Sequence, residues 1–318
     1  MTYKQSHLNT VPIVFSADIY YIPYMSAAMQ SIMENSSPNS RYCFFVLHKD
    51  IDANHINIIE KQISAFPQFS IEFIDVTSFI NGRTFFISRH IAVESYFRLL
   101  IPELLPEYKK IIYVDGDMIC TTDIAPLLDI NMENYLIAAV RDVPGVSWYH
   151  GPRHSKNRKK RFSVLLQLKN PDEYFNAGLL VINIELFNKT ITIDKLLELA
   201  ASREWQNYDQ DVLNVVAEKK TFFLSFRWNF HHPIRPKYLP DQIKQEYSEA
   251  EKNPNIIHYK PWTFAFHIKF FELFWKYSTR TPFINVIVER MKSNEFINFR
   301  FREMLFAKIK QKIKSYFI

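Results

Sequence analysis

Along the first part of the chain, short apolar runs alternate with stretches in which apolar residues return every three or four positions. A short apolar run with polar flanks suits a strand buried in a sheet, and the longer spacing suits one face of a helix. Val11–Ser16, Tyr42–Leu47 and Ile71–Asp75 therefore read as strands. The stretch from Tyr24 to Met33 reads as a helix, as does the segment carrying Ile56, Ile59 and Ile63. Asp52 precedes the second, where a carboxylate can accept amides that the first turn leaves unpaired. A helix is expected over Ser95–Leu100, limited by Pro102, which has no amide hydrogen to give a helix interior. Ile111–Val114 is the next strand. This rhythm predicts an α/β fold, a mostly parallel central sheet flanked by helices. Farther on, Tyr135–Val140 and Gly178–Ile184 read as strands, and Leu196–Ala201 and Asp211–Ala217 as helices.

Ligands of such sheets bind beyond the carboxyl ends of the strands. Asp18 and Asp115 each lie just past such an end, so they are expected to converge. Asp115 is followed by Gly116 and Asp117. Residues two apart on an extended chain face the same side. Two carboxylates aimed at one point repel each other unless a cation sits there, and hard oxygen ligands suit Mg²⁺ or Mn²⁺. Gly116 has no side chain, so a phosphate can approach closely. A turn with two solvated acids is the other reading of so short a motif.

Composition narrows the class. Hydrophobic residues make up 47% of 318, enough for a sizeable core, which excludes disorder. Cys43 and Cys120 both sit beside apolar runs and read as buried, reduced thiols in a reducing compartment. The net charge of +6 points to an anionic partner: nucleotide, nucleic acid or lipid headgroup. Basic residues are not interleaved with a stacking platform, so nucleic acid is not expected. The polar first ten residues carry no secretory leader pattern, and no uncharged stretch reaches the roughly 18 residues of a membrane span. Arg153–Arg161 is a basic run, read as a loop or a solvated helix. Near the end, Phe301, Leu305, Ile309, Ile313 and Tyr316 recur at helical spacing, with Arg302, Lys308, Lys310, Lys312 and Lys314 on other faces. Such a helix can lie on an anionic membrane surface; packing its apolar stripe onto the domain is the alternative.

Seven short segments carry the remaining signal. They hold Ser16, Ala17, Asp18, Tyr20 and Tyr21; Tyr96, Arg98 and Leu99; Asp115, Gly116 and Asp117; Asp142; Phe175, Asn176, Ala177 and Gly178; Asp209, Gln210 and Asp211; and His258, Lys260, Pro261 and Trp262. In this order, over roughly residues 11 to 262, they resemble family 8 of the glycosyltransferases. These are retaining enzymes of the GT-A fold that include bacterial galactosyl- and glucosyltransferases of lipopolysaccharide and lipooligosaccharide synthesis.

The resemblance implies a donor site in which Ser16, Ala17, Asp18 and Tyr21 hold the base of UDP. Asp18 would accept the uracil N–H and Tyr21 would stack on the ring; Tyr20 replaces the family's usual Asn. It implies that Asp115, Asp117 and His258 bind Mn²⁺, with Mg²⁺ as an alternative, bridging the diphosphate beside Gly116 and Lys260. Arg98 would approach the sugar and the diphosphate. Asn176, Asp142, Asp209 and Gln210 would meet the donor sugar, with Gln210 near the anomeric carbon. His258 and Lys260 are nearly fused here, without the family's intervening glycine-containing loop, which is expected to open the phosphate side of the cleft.

The expected reaction is transfer of galactose or glucose from a UDP-hexose to a glycan hydroxyl with retention, the departing phosphate helping to deprotonate the acceptor. The acceptor is expected to be a lipid-linked saccharide. The protein would be cytoplasmic and peripheral, at the inner face of the cytoplasmic membrane. Residues 1–265 would form the GT-A catalytic domain and residues 266–318 a C-terminal helical, basic-aromatic extension. Two rivals use the same residues. An aspartyl-phosphate phosphatase would employ the first Asp as nucleophile, but its motif continues with Thr or Val where Ile119 stands. A non-catalytic nucleotide-sugar binding module would need no full set of polar positions, and all are filled.

Overall fold

The computed structural model describes residues 10–83, 85, 86, 93–152, 159–232, 237–259 and 270–293. Seven strands form the central sheet in the order β3-β2-β1-β4-β7-β6-β8. They are β1 (Val11–Ser16), β2 (Tyr42–His48), β3 (Phe69–Asp75), β4 (Lys110–Val114), β6 (Ile137–Arg141), β7 (Phe175–Asn183) and β8 (Thr221–Phe223). Neighbours from β3 to β4 are parallel. β7 runs antiparallel between β4 and β6, and β8 is parallel to β6.

Side chains alternate across this sheet with the two-residue period of a strand. Ile13, Phe15, Phe44, Val46, Ile112 and Val114 join one core layer with the helices Ile22–Asn35 and Ala53–Ile63. Val14, Phe45, Leu47, Ile111 and Tyr113 join the other, against the 3₁₀ helix Val93–Leu100 and the helices Ile193–Ala201 and Tyr208–Val216. β1, β2 and β4 are covered on both faces, so they are apolar runs rather than alternating, and this made them legible.

A second, three-stranded sheet has the order β5-β10-β9, with β5 (Met118–Cys120), β9 (Phe230–His232) and β10 (Ile256–Tyr259). β10 is antiparallel to β5, with His258 opposite Met118. It is parallel to β9, with His258 opposite His231. This register carries His258 to the acidic pair, and Tyr259 N donates to Asp117 O at 2.9 Å.

The helices Phe271–Ser278 and Ile284–Ser293 pack on the first helix. Phe274, Trp275, Tyr277 and Ile287 share a buried cluster with Tyr24, Ala27, Ile119 and Ile257. Asn35 Nδ2 donates to Tyr277 Oη at 2.8 Å. The Arg290 guanidinium stacks 3.9 Å from the Tyr20 ring centroid. The described part of the C-terminal region is thus joined to the α/β core. Residues 301–318, Lys260 and residues 153–158 of the basic run lie outside the described residues.

Three expectations change in detail. The segment over Ser95–Leu100 starts at Val93 and is wound as a 3₁₀ helix. Pro102 does not merely limit it; it sits in the first turn of a following short helix, Ile101–Leu104, where its missing amide hydrogen would have had no partner. The basic run is not solvated throughout: Lys159 and Lys160 are exposed, but Arg161 is buried and ion-paired with Asp211. No described helix is long and apolar enough to cross a membrane.

Cys43 and Cys120 are free and buried. Burial pushes their thiols up, to about 11 and about 12 respectively, so neither is a thiolate at neutral pH. A disulfide-exchange thiol reagent should therefore label neither in the folded protein at pH 8 and both in denaturant. Prompt labelling without denaturant would contradict this packing.

Candidate active site

Beyond the carboxyl ends of β1 and β4 lies a cavity of about 380 Å³. Ser16, Tyr21, Arg98, Asp115, Gly116, Asp117, Asp142, Asn176, Asp209, Gln210 and His258 all line it. Ala17 and Asp18 do not. Ala17 is buried, and Asp18 Oδ1 accepts from Tyr21 N at 2.7 Å, at the start of the first helix. Tyr21 is held neutral: burial raises its phenol, and Asp117, Asp115 and Asp18 add to the effect.

Asp115, Asp117 and His258 each present one ligand atom, all within 4.8 Å of one another. His258 Nε2 is 3.2 Å from Asp117 Oδ1 and 4.0 Å from Asp115 Oδ2. The state of that imidazole follows from a fixed backbone amide. Gly178 N donates to Asn176 Oδ1 at 2.9 Å, which settles which end of the Asn176 amide is oxygen. Asn229 Nδ2 donates to the same oxygen at 2.8 Å. Asn229 Oδ1 then faces His258 Nδ1 at 3.1 Å and must accept its hydrogen. With Nδ1 as donor, neutral His258 carries its lone pair on Nε2, aimed at two carboxylates. Such a constellation calls for positive charge at its centre, which either a proton on Nε2 or a cation supplies. The separations suit three ligands about 2.1 Å from one ion. Two carboxylates and one imidazole suit Mn²⁺, and carboxylates also suit Mg²⁺.

Gly178 is part of this cradle. A Cβ there would stand 2.7 Å from His258 Cε1 and 2.8 Å from Asp115 Oδ2, so only glycine fits. Asp115 is used from both sides. Its Oδ1 accepts from Arg98 Nη2 and from Tyr113 Oη, each at 2.9 Å, and its Oδ2 turns to His258.

Arg98 is no surface charge; it is 7% exposed. Its Nε lies 3.0 Å from Asp209 Oδ2, Nη1 donates to Ala177 O, and the guanidinium stacks 4.3 Å from the Tyr113 ring centroid. Burial alone would lower its pKa, but Asp115 and Asp209 outweigh that and hold it charged. Burial also pushes Asp209 up to about 6; Arg98 opposes the shift and Asp115 adds to it. Removing one partner of a buried pair leaves the other uncompensated, at a cost of about 3–5 kcal/mol.

The far wall is one hydrogen-bonded network. Asn176 Nδ2 donates to Gln210 Oε1 at 3.1 Å and to Asp142 Oδ2 at 3.2 Å. Gln210 Oε1 also accepts from Ala177 N at 3.0 Å, and Gln210 Nε2 donates to Tyr174 Oη at 3.0 Å. Asp142 Oδ1 accepts from Gly145 N at 2.6 Å, capping the helix Val143–His150. Tyr174 Oη donates to Asp211 Oδ1 at 2.6 Å, and Arg161 holds that carboxylate from behind. Asp211 therefore supports the wall instead of lining it.

Sequence reasoning did not single out Asn229, His231, Trp148 or Glu94, which complete the arrangement. The His231 ring meets His258 edge-on, centroids 4.6 Å apart. Asn229 sits in no motif, and its place follows from long-range pairing of β9 with β10.

Asn229 fixes the His258 tautomer, so Asn229→Ala should weaken Mn²⁺ binding by about 10- to 100-fold. Electron paramagnetic resonance of free Mn²⁺ measures this directly. Wild-type affinity in the variant would contradict the relay.

Comparison with known proteins agrees with this geometry. Residues 12–265 match the family Glycosyl transferase family 8. General stress protein A of Bacillus subtilis is 26% identical over 263 residues, covering 79% of this chain and 86% of that protein. Lipopolysaccharide 1,2-glucosyltransferase of Escherichia coli is 28% identical over 175 residues, covering 52% of this chain and 48% of that protein. The solved structure of the WbbM bifunctional glycosyltransferase superposes with a TM-score of 0.78 at 28% identity, covering 89% of this chain and 52% of that one. The chain thus spans about half the length of the latter two. The match extends from the second residue of β1 to beyond His258 and takes in both sides of the cavity: the chain belongs to glycosyl transferase family 8.

Proposed function

We propose that this chain transfers a hexose, galactose or glucose, from a UDP-sugar to a hydroxyl of a glycan, with retention at the anomeric carbon, in the synthesis of a cell-surface saccharide. The observation that carries the proposal is the convergence of Asp115, Asp117 and His258 with the Asn176–Gln210–Asp142 wall in one cavity. The first group suits a cation and a diphosphate, and the second suits a sugar. The name of the Escherichia coli relative supports a hexose and a surface glycan.

Ser16 and Tyr21, which line the cavity, hold the uracil end in this reading, with Asp18 fixing the Tyr21 amide. Asp115, Asp117 and His258 would hold Mn²⁺, or Mg²⁺ in its place, with Gly116 beside the diphosphate; Lys260 is assigned to the diphosphate from its sequence motif alone. When bound, the ion supplies a Lewis acid that stabilises charge on the departing UDP. Arg98 contributes fixed positive charge from beneath Asp115. Gln210, pinned by Asn176 and Ala177, faces the anomeric carbon, while Asp142 and Asn176 orient the sugar hydroxyls. Asp209 is tied to Arg98, and Asp142 to Gly145 and Asn176, so neither is poised as a mobile nucleophile. The departing phosphate oxygen accepts the acceptor proton on the same face, which accounts for retention. A phosphatase would need Asp115 open, yet its Oδ1 already accepts two hydrogen bonds.

The glycan acceptor is lipid-linked in this proposal, and the protein works in the cytoplasm at the inner face of the membrane. Residues 1–265 act as the catalytic unit and residues 266–318 as the attachment. That division is one of role, because the helices over 271–293 pack on the first helix. The support is the basic amphipathic sequence from Phe301 to Tyr316, whose lysines would meet anionic headgroups.

A panel of UDP-sugars with Mn²⁺ should release UDP from one hexose donor, identified by mass spectrometry. Chelation, Asp115→Ala and His258→Ala should each lower the rate by at least about 100-fold. Activity surviving both substitutions would refute the assignment. Truncation after Asn298 should abolish sedimentation with anionic liposomes; equal binding with and without the tail would remove the membrane role.

A further inference from the structure

Tyr21 belongs to the cavity wall, yet the turn that carries it stands open to solvent: Ile19 is 44% and Tyr20 53% exposed. Within the turn, Tyr21 N donates to Asp18 Oδ1 at 2.7 Å and Ile22 N to Asp18 O at 3.2 Å. These bonds are local, and local bonds close a turn without fixing it against the rest of a protein. A contact from 270 positions away adds that hold. Arg290 Nη1 donates to Tyr20 O. The same guanidinium lies 3.9 Å from the Tyr20 ring centroid and 5.8 Å from that of Tyr24. Tyr21 packs against both rings, with centroids 6.3 and 5.9 Å away. A planar guanidinium can stack and donate at once, so one side chain holds a carbonyl and both neighbours of the Tyr21 ring.

Arg290 is itself well founded. It lies on the helix Ile284–Ser293, whose Ile287 is fully buried in one cluster with Tyr24, Ala27 and Ile257. The helix before it grips the far end of the first helix, where Asn35 Nδ2 donates to Tyr277 Oη at 2.8 Å. Arg280, just beyond that helix, pairs with Glu34. The C-terminal helices therefore span the first helix from end to end, and Arg290 carries that frame to the turn at the cavity. It lies beyond the residues, 12–265, that match the family.

We infer that Arg290 is a positioning residue for the nucleotide: it holds the Asp18–Tyr21 turn so that the Tyr21 ring presents a fixed face to the base of a uridine diphosphate. The inference deepens the hexosyltransferase reading and rests on it. Arg290 does not line the cavity, so it acts on the ligand only through Tyr20 and Tyr21. Without it the turn would be held by its local bonds alone, and part of the affinity for the base would be spent on ordering it. Asp115, Asp117 and His258 lie on other elements, so cation binding would be kept.

Isothermal titration calorimetry of the full chain with UDP in the presence of Mn²⁺ tests this, beside electron paramagnetic resonance of Mn²⁺ alone. Arg290→Ala should weaken UDP binding by about five- to tenfold and leave Mn²⁺ affinity unchanged. Arg290→Lys keeps the charge and a donor but not the plane, so its UDP affinity should fall between the two. Arg280→Ala removes a contact of the same helical frame far from the turn and should leave UDP affinity at the wild-type value. Wild-type UDP affinity in Arg290→Ala, an equal loss in Arg280→Ala, or a parallel loss of Mn²⁺ affinity would overturn the inference and leave the nucleotide-sugar reading standing. A wild-type chain that binds no UDP would overturn that reading, and this inference with it.

Discussion

The aim of His258 Nε2 at two carboxylates is the constraint around which the rest of the site is arranged. The tautomer is set through three steps, from the Gly178 amide to Asn176, from Asn176 to Asn229, and from Asn229 to His258 Nδ1. The first donor is backbone within β7, so sheet geometry reaches the imidazole without a flexible link. Asp115 is pinned from the opposite side by Arg98 and Tyr113. Asp115 and His258 are therefore positioned by hydrogen bonds that do not depend on an ion, which limits the reorganisation that binding demands.

Charge gives the same picture on a larger scale. Glu94, Asp115, Asp117, Asp142 and Asp209 line the cavity, and among the described residues Arg98 is the only arginine or lysine that does so. The chain as a whole carries +6. Arg98 answers Asp115 and Asp209, and Lys49 answers Glu94, so part of this charge is balanced within the protein. A divalent cation at Asp115 and Asp117 would supply positive charge there, and its remaining coordination positions would be open to a diphosphate.

Much of the fold was legible because β1, β2 and β4 are buried on both faces, which turns each into an apolar run. Strands of three residues, β5, β8 and β9, gave no periodic signal to read. Nor could the insertion of β7 between β4 and β6 be seen, since pairing order is a long-range property. Asp115 and Asp117 stood out because two acids after an apolar strand conflict locally and need an explanation. Arg161 was misjudged for the opposite reason: a basic run looks solvated, and its partner Asp211 lies fifty positions away. Asn229 was hidden for the same reason, since its role is defined by a hydrogen bond across sheets to Asn176.

The account is tested most directly by anomalous diffraction from crystals grown with Mn²⁺ and UDP. It predicts a manganese peak about 2.2 Å from one oxygen each of Asp115 and Asp117 and from His258 Nε2, with His258 Nδ1 still donating to Asn229 Oδ1. Bound UDP with no manganese among these three side chains, or His258 coordinating through Nδ1, would contradict it.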